Sequence, residues 1–65
     1  MRYSINLRMK NPGPAKFLIE TCEANDLPSA FEAGDRMISA LNVEEHFIEI
    51  LDNNGDKVAS FNEEN

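Results

Sequence analysis

The chain has 65 residues, which is enough for one small domain. Its 6 basic and 12 acidic side chains give a formal net charge of −6, so direct nucleic-acid binding is not expected, because phosphates require a cationic face. The single cysteine, Cys22, excludes an internal disulfide and is typical of a reducing compartment. No apolar run reaches the roughly 20 residues of a membrane span, and no signal-peptide pattern is found. We therefore expect a cytoplasmic protein without membrane contact.

The first two predicted elements are strands. Residues 2–10 alternate between apolar and polar side chains, which is typical of a half-buried strand. A proline-rich loop follows, and residues 16–24 are predicted to form a second strand paired back on the first. In the pairing that we predict, Thr21 shares the buried face with Ile5. The same pairing places three side chains on the opposite face: Leu18, Glu20 and Cys22.

The third predicted element is a helix. From Leu27 onward, apolar residues recur at spacings of three and four, which predicts a helix over about residues 29–41. Ser29 and Glu32 fit a capping box, with Ser29 as the N-cap. Gly34 lies on the apolar stripe, where it costs about 1 kcal/mol of helix propensity relative to alanine. We expect a close approach of the helix to the sheet to compensate for this cost.

The last predicted elements form a β-hairpin, with strands at about residues 46–53 and 56–62. Asn54 and Gly55 are a strong signal for a two-residue type I′ loop, in which both residues have positive φ. The resulting register pairs Asp52 with Lys57, Leu51 with Val58, Ile50 with Ala59 and Ile48 with Phe61.

The same stretch also matches part of an EF-hand calcium loop. Asp52, Asn54 and Asp56 fall at its first, third and fifth positions, and Glu63 falls at the twelfth. However, Lys57 stands where that loop requires glycine, and neither flank has helical periodicity. We therefore predict a turn between strands and no metal site.

The order of elements predicts the topology. A ββαββ sequence with a right-handed crossover between the second and third strands forms a four-stranded antiparallel sheet in the order 2-1-3-4. The helix then covers one face of that sheet. Residues 1–65 are accordingly predicted to form a single α+β domain.

No set of residues forms a catalytic motif. His46, beside acidic neighbours, could bind a metal or act as a base, and Cys22 could act as a nucleophile. Neither has partners at a recognised spacing, and the sequence has no phosphate loop, catalytic triad or cofactor motif. We expect a protein that is not an enzyme and uses no cofactor.

The sheet face that the helix leaves uncovered is the most informative surface. On a solitary monomer this face should be polar, and a contiguous apolar patch there would mark a partner site. The predicted registers place apolar side chains on it from three of the four strands. The expected partner-binding residues are Leu18, Cys22, Phe47, Glu49, Leu51 and Val58.

Two functions fit these expectations. The first is a small acidic interaction module that binds a larger protein of unknown identity and modulates or inhibits it. In size and charge such a module resembles phage-encoded inhibitors of host defence, such as anti-CRISPR proteins, which implies carboxylates that occupy a basic groove. The second is a homodimer formed through the exposed sheet face, acting as a structural or accessory protein. The candidate acidic surface consists of Glu44, Glu45, Glu49, Glu63 and Glu64.

Overall fold

The computed structural model describes residues 2–10, 18–41 and 44–62. The elements are β1 Tyr3–Met9, β2 Leu18–Ala24, α1 Leu27–Ser39, β3 His46–Leu51 and β4 Lys57–Phe61. All neighbouring strands are antiparallel, in the order β2-β1-β3-β4, and α1 packs against one face. The predicted α+β fold and strand order are thus confirmed. Within these residues no helix has the length and apolar character needed to span a membrane.

The hydrophobic core lies between α1 and the two central strands. Ile5 pairs with Ile50, and Leu7 pairs with Ile48, so that all four side chains point to the helix and are fully buried. Burial of a side chain of this size stabilises the fold by about 1.5–3 kcal/mol. The buried residues that α1 contributes to this layer are Ala30, Gly34 and Ile38.

The helix begins two residues earlier than predicted, and its N-cap is Asp26. The Asp26 carboxylate accepts a hydrogen bond from the Ser29 amide at 2.8 Å, and its carbonyl accepts one from the Ala30 amide at 3.0 Å. The predicted cap at Ser29 is wrong because Ser29 already lies in the first helical turn as a donor. Pro28 also lies in this turn, where its missing N–H costs nothing. The hydrogen bond from Ser29 lowers the pKa of the Asp26 carboxyl below its ordinary value of 3.8.

Gly34 allows α1 to lie close to the sheet. A Cβ atom at this position would lie 2.8 Å from Cζ of Phe61 and 2.9 Å from Cγ2 of Ile48. Separations this short do not occur between real atoms of these types. The predicted compensation for a glycine inside the helix is therefore confirmed.

The turn of the β3–β4 hairpin differs from the predicted type I′ loop. Gly55 has a φ of 89°, whereas Asn54 does not have a positive φ. The Gly55 amide donates to the Asp52 carbonyl at 3.0 Å, and the Asp52 amide donates to the Asp56 carbonyl at 2.9 Å. The loop between Asp52 and Asp56 therefore has one residue more than the predicted loop, and Asp52 does not pair with Lys57.

A bulge in β4 restores the predicted register beyond this turn. The register shifts between Ile50 and Leu51, and Leu51 pairs with Lys57, so the predicted partner Val58 is wrong. The extra residue in the turn is offset by the extra residue in the bulge. As a result, Ile50 pairs with Ala59 and Ile48 pairs with Phe61, as the sequence predicts.

The β1–β2 register also differs from the predicted one. Ile5 pairs with Cys22 and Asn6 with Thr21, so Cys22 faces the helix and Thr21 faces away from it. The predicted orientations are therefore reversed, as a one-residue change in register requires. An irregularity in β2 opposite Leu7 and Arg8 shifts the register of this strand again. Leu18 therefore pairs with Arg8 and lies on the face of the sheet opposite the helix, as the sequence predicts. Glu20, expected on that face, pairs with Leu7 on the helix side.

Candidate partner-binding surface

A polar network crosses three strands on the outer face, the side of the sheet that α1 leaves uncovered. Thr21 Oγ1 donates to Asn6 Oδ1 at 2.8 Å. Asn6 Nδ2 donates to Glu49 Oε1 at 3.2 Å, and Arg8 Nε donates to the same oxygen at 2.8 Å. The side chains of Arg8 and Glu49 are only 29% and 15% exposed. The Glu49 carboxylate, expected to contact a partner, is thus held within the sheet and its charge is offset by Arg8.

Phe47 lies on the same face but is not exposed. It pairs with Arg8, which places its side chain on the outer face, yet only 1% of its surface is accessible. The expectation that Phe47 forms an exposed patch is wrong, because strand alternation predicts the face of a side chain but not what lies over it. Phe47 is one of the largest fully buried side chains, so its burial contributes to the stability of the fold.

The remaining apolar residues of the predicted surface do not form a continuous band. Leu18 and Val58 are 50% and 45% exposed. They lie on β2 and β4, the two opposite edges of the sheet, with β1 and β3 between them. Leu51 is half-buried and pairs with Ser4 on one side and Lys57 on the other. Phe47 therefore adds no exposed area to this face, and the exposed Leu18 and Val58 are separated by the width of the sheet.

Cys22 belongs to the opposite side of the sheet and packs against the core. Its thiol donates to the thioether sulfur of Met37 at 3.5 Å. Burial raises the pKa of the thiol above its ordinary value of 9.0, the carboxylate of Glu20 adds to the rise, and Arg36 opposes it. The thiol is consequently protonated at neutral pH. Its expected place on the partner-binding face is wrong, because its true register turns it to the helix.

The candidate acidic surface is described in part. Glu44 and Glu45 are exposed immediately before β3. Glu63 and Glu64 lie outside the described residues. Across residues 2–10, 18–41 and 44–62, no three histidine, cysteine, aspartate or glutamate side chains are grouped so that they could hold a metal ion.

An aromatic pair, which we call the aromatic ledge, consists of Phe31, which is exposed, and Phe61, which is half-buried against the core. The two rings stack with centroids 6.1 Å apart and planes inclined by 27°. Phe31 nevertheless remains 41% exposed. Sequence reasoning missed this surface because both residues fall on apolar faces and were assigned to the core. The positions of the two residues could have indicated this surface, since Phe31 lies at the margin of the apolar stripe of the helix and Phe61 lies on an edge strand.

The ledge adjoins one edge of the sheet. β4 is the last strand in the sheet order, so part of its backbone N–H and C=O groups point away from β3. An accessible aromatic surface next to such an edge can bind apolar side chains and extended backbone from another molecule. No protein-family model matches this sequence, and neither a curated protein nor a solved structure matches it.

Proposed function

We propose that this protein is a small acidic, non-enzymatic interaction module that binds a larger protein or complex and modulates or inhibits it. The observation that carries the proposal is the aromatic ledge. Phe31 presents an exposed ring that stacks on the half-buried ring of Phe61, beside the edge of β4. Aromatic side chains are enriched among the residues that dominate binding energy at protein interfaces.

The charge of the protein supports a partner with a basic surface. The net charge of −6 attracts such a surface at long range and raises the rate of encounter. Glu44 and Glu45 are exposed and adjacent, so they are suited to this role, whereas Glu49 is held by Arg8. The narrower proposal is a cytoplasmic, phage-type inhibitor of a host complex, which small size and acidic charge support.

The alternative function is a homodimer formed through the outer sheet face. It has less support, because Phe47 is buried, Cys22 faces the helix, and Leu18 and Val58 lie at opposite edges. Light scattering over a range of concentrations separates the two functions. The interaction module is a monomer in isolation, whereas a structural homodimer keeps twice the monomer mass on dilution.

The proposal is tested by affinity capture from a lysate of the native host, with the bound proteins identified by mass spectrometry. Phe31→Glu alters the aromatic ledge, and Leu18→Glu is the matched control, since Leu18 is exposed to a similar degree and lies on β2, at the opposite edge of the sheet. We expect the wild type and Leu18→Glu to capture the same partner and Phe31→Glu to lose it. Circular dichroism should show that both variants are folded.

Two outcomes would contradict the proposal as stated. Loss of the partner in Leu18→Glu with retention in Phe31→Glu would place binding on the outer face instead of the aromatic ledge. Recovery of the protein alone from every lysate, together with a dimer in light scattering, would favour the homodimer.

A further inference from the structure

We propose that Asn54 is a spontaneous modification site, at which the protein converts its own side-chain amide to aspartate and isoaspartate. Asn54 is the only asparagine in the sequence that is followed by glycine. The main-chain nitrogen of Gly55 attacks Cγ of Asn54, so that a new C–N bond closes a five-membered succinimide ring. The bond between Cγ and Nδ2 of Asn54 breaks, and ammonia leaves with the proton of the Gly55 nitrogen. Water then hydrolyses the ring at either carbonyl, giving aspartate or isoaspartate.

The tip of the β3–β4 hairpin presents both reacting groups to water. Asn54 and Gly55 are exposed. Apart from Gly55 and its two chain neighbours, no residue has a heavy atom within 4 Å of the place where a Cβ of Gly55 would stand. Glycine leaves the attacking nitrogen sterically unhindered, because it has no side chain to obstruct the approach to Cγ. No more distant part of the protein therefore shields the site from the water that completes the reaction.

Asp52 accepts hydrogen bonds from three main-chain amides of the turn that contains the Asn54–Gly55 peptide bond. Its Oδ1 accepts from the Asn54 amide at 2.9 Å and from the Asp56 amide at 3.0 Å. Its main-chain carbonyl accepts from the Gly55 amide at 3.0 Å. Such side-chain bonds to nearby amides stabilise turns in which the peptide planes are fixed.

These hydrogen bonds oppose ring closure. The Gly55 nitrogen must lose its proton and approach Cγ of Asn54 to about 3–3.5 Å in the direction of attack. Its N–H is instead donated to the Asp52 carbonyl, and the adjoining peptide planes are held by the Asp52 carboxylate. The reaction therefore occurs in molecules in which the hydrogen bonds to Asp52 have broken. By accepting these bonds, Asp52 slows the reaction.

The products weaken the hairpin in which they form. Isoaspartate adds a methylene group to the backbone between Asp52 and Gly55, so the hydrogen bond that closes the turn loses its geometry. Either product also adds a negative charge between Asp52 and Asp56, and like charges at this spacing repel. Modification at Asn54 consequently loosens β4, the strand that carries Phe61 of the aromatic ledge.

Peptide mapping by mass spectrometry of the folded protein, incubated at neutral pH, tests the proposal. In the wild type we expect conversion in the peptide that contains Asn54 before conversion at any other asparagine. Asp52→Ala removes both side-chain hydrogen bonds and should react roughly thirtyfold faster, the factor that corresponds to two ordinary hydrogen bonds of about 1 kcal/mol each. Asp52→Asn keeps an oxygen acceptor, so its rate should fall between the other two.

Phe47→Leu is the control for global unfolding, because it removes buried volume from β3 and leaves every hydrogen-bonding group of the turn in place. Equal acceleration in Phe47→Leu and Asp52→Ala would show that the reaction occurs in the unfolded protein, which would overturn the role of Asp52. Earlier conversion at another asparagine, or an unmodified Asn54 after the urea-unfolded wild type has fully reacted, would overturn the site itself.

Discussion

Gly34 of α1 lies against the ring of Phe61, and a Cβ at position 34 would come within 2.8 Å of Cζ of that ring. Gly34→Ala would gain about 1 kcal/mol of helix propensity. Insertion of a methyl group into a packed interface costs about 1–3 kcal/mol. Because Ile48 blocks the same space at 2.9 Å, we expect a net loss of stability of up to about 2 kcal/mol in urea denaturation.

A double-mutant cycle with Phe61→Ala is the control for this expectation. Removal of the ring leaves only Ile48 against the new methyl group, so Gly34→Ala should cost less in the Phe61→Ala background. An equal cost in both backgrounds would contradict the contact between these two positions.

The polar network on the outer face should contribute to stability through Glu49. Glu49→Ala removes the acceptor of the hydrogen bonds from Arg8 and Asn6, both of which involve a largely buried carboxylate. We expect a loss of about 1–3 kcal/mol in urea denaturation. Glu49→Gln retains a side-chain oxygen and should lose less. If Glu49→Gln is as unstable as Glu49→Ala, the charge of the carboxylate matters more than its position as an acceptor.

Phe47 should behave as a core residue in spite of its place on the outer face. Phe47→Ala is expected to cost about 3–5 kcal/mol, which is a large part of the stability of a small domain. Val58→Ala, at an exposed position, should change stability by no more than about 0.5 kcal/mol. Thermal unfolding of the two variants checks this contrast. Similar melting temperatures would contradict the burial of Phe47.

The reactivity of Cys22 should depend on pH in a defined direction. Burial raises the pKa of the thiol above 9.0, so less thiolate is present in the folded protein than in the unfolded protein at any pH near neutral. The rate of reaction with a disulfide reagent should therefore keep rising with pH beyond 9.0 and should level off only above the raised pKa. In urea the rate profile should move to lower pH. The raised pKa also means that folding stability falls as the pH rises above 9.0.

Two charge variants provide opposite controls for Cys22. Glu20→Gln removes a carboxylate that raises the pKa, so its reaction should be faster than that of the wild type. Arg36→Gln removes a cation that lowers the pKa, so its reaction should be slower. Shifts in the same direction would show that burial changes, and not charge, govern the thiol.

The sequence predicts the architecture because its periodic patterns are long and agree with one another. The alternation in β1 places Ile5 and Leu7 on one face, and the helix stripe places Ala30 and Ile38 against them. The strand order then follows from connection rules that leave few choices. The sequence also predicts the close approach of the helix to the sheet at Gly34, because a glycine on a buried helical face implies close packing.

The sequence does not predict the features that depend on a shift of a single residue, which are the strand registers and the start of the helix. Bulges in β2 and β4 shift the alternation by one position, and no local pattern separates Thr21 from Cys22 as the buried residue. The helix start was placed at Ser29 because a capping box is a strong signal, yet Asp26 offers a competing acceptor three residues earlier. Burial of Phe47 depends on tertiary structure over the sheet, which strand periodicity does not encode.

The turn and the bulge of the β3–β4 hairpin offset each other, so Ile50 pairs with Ala59 in the register that a two-residue loop without a bulge would also produce. Loss of the bulged residue Val58 would leave the hydrogen bonds between Asp52 and Asp56 and the core pairs in place. A gain or loss of one residue in this segment therefore changes the conformation of the hairpin tip, while the core residues of β3 and β4 keep the same pairing. Among proteins that share this fold, the hairpin tip is where insertions and deletions should be tolerated best.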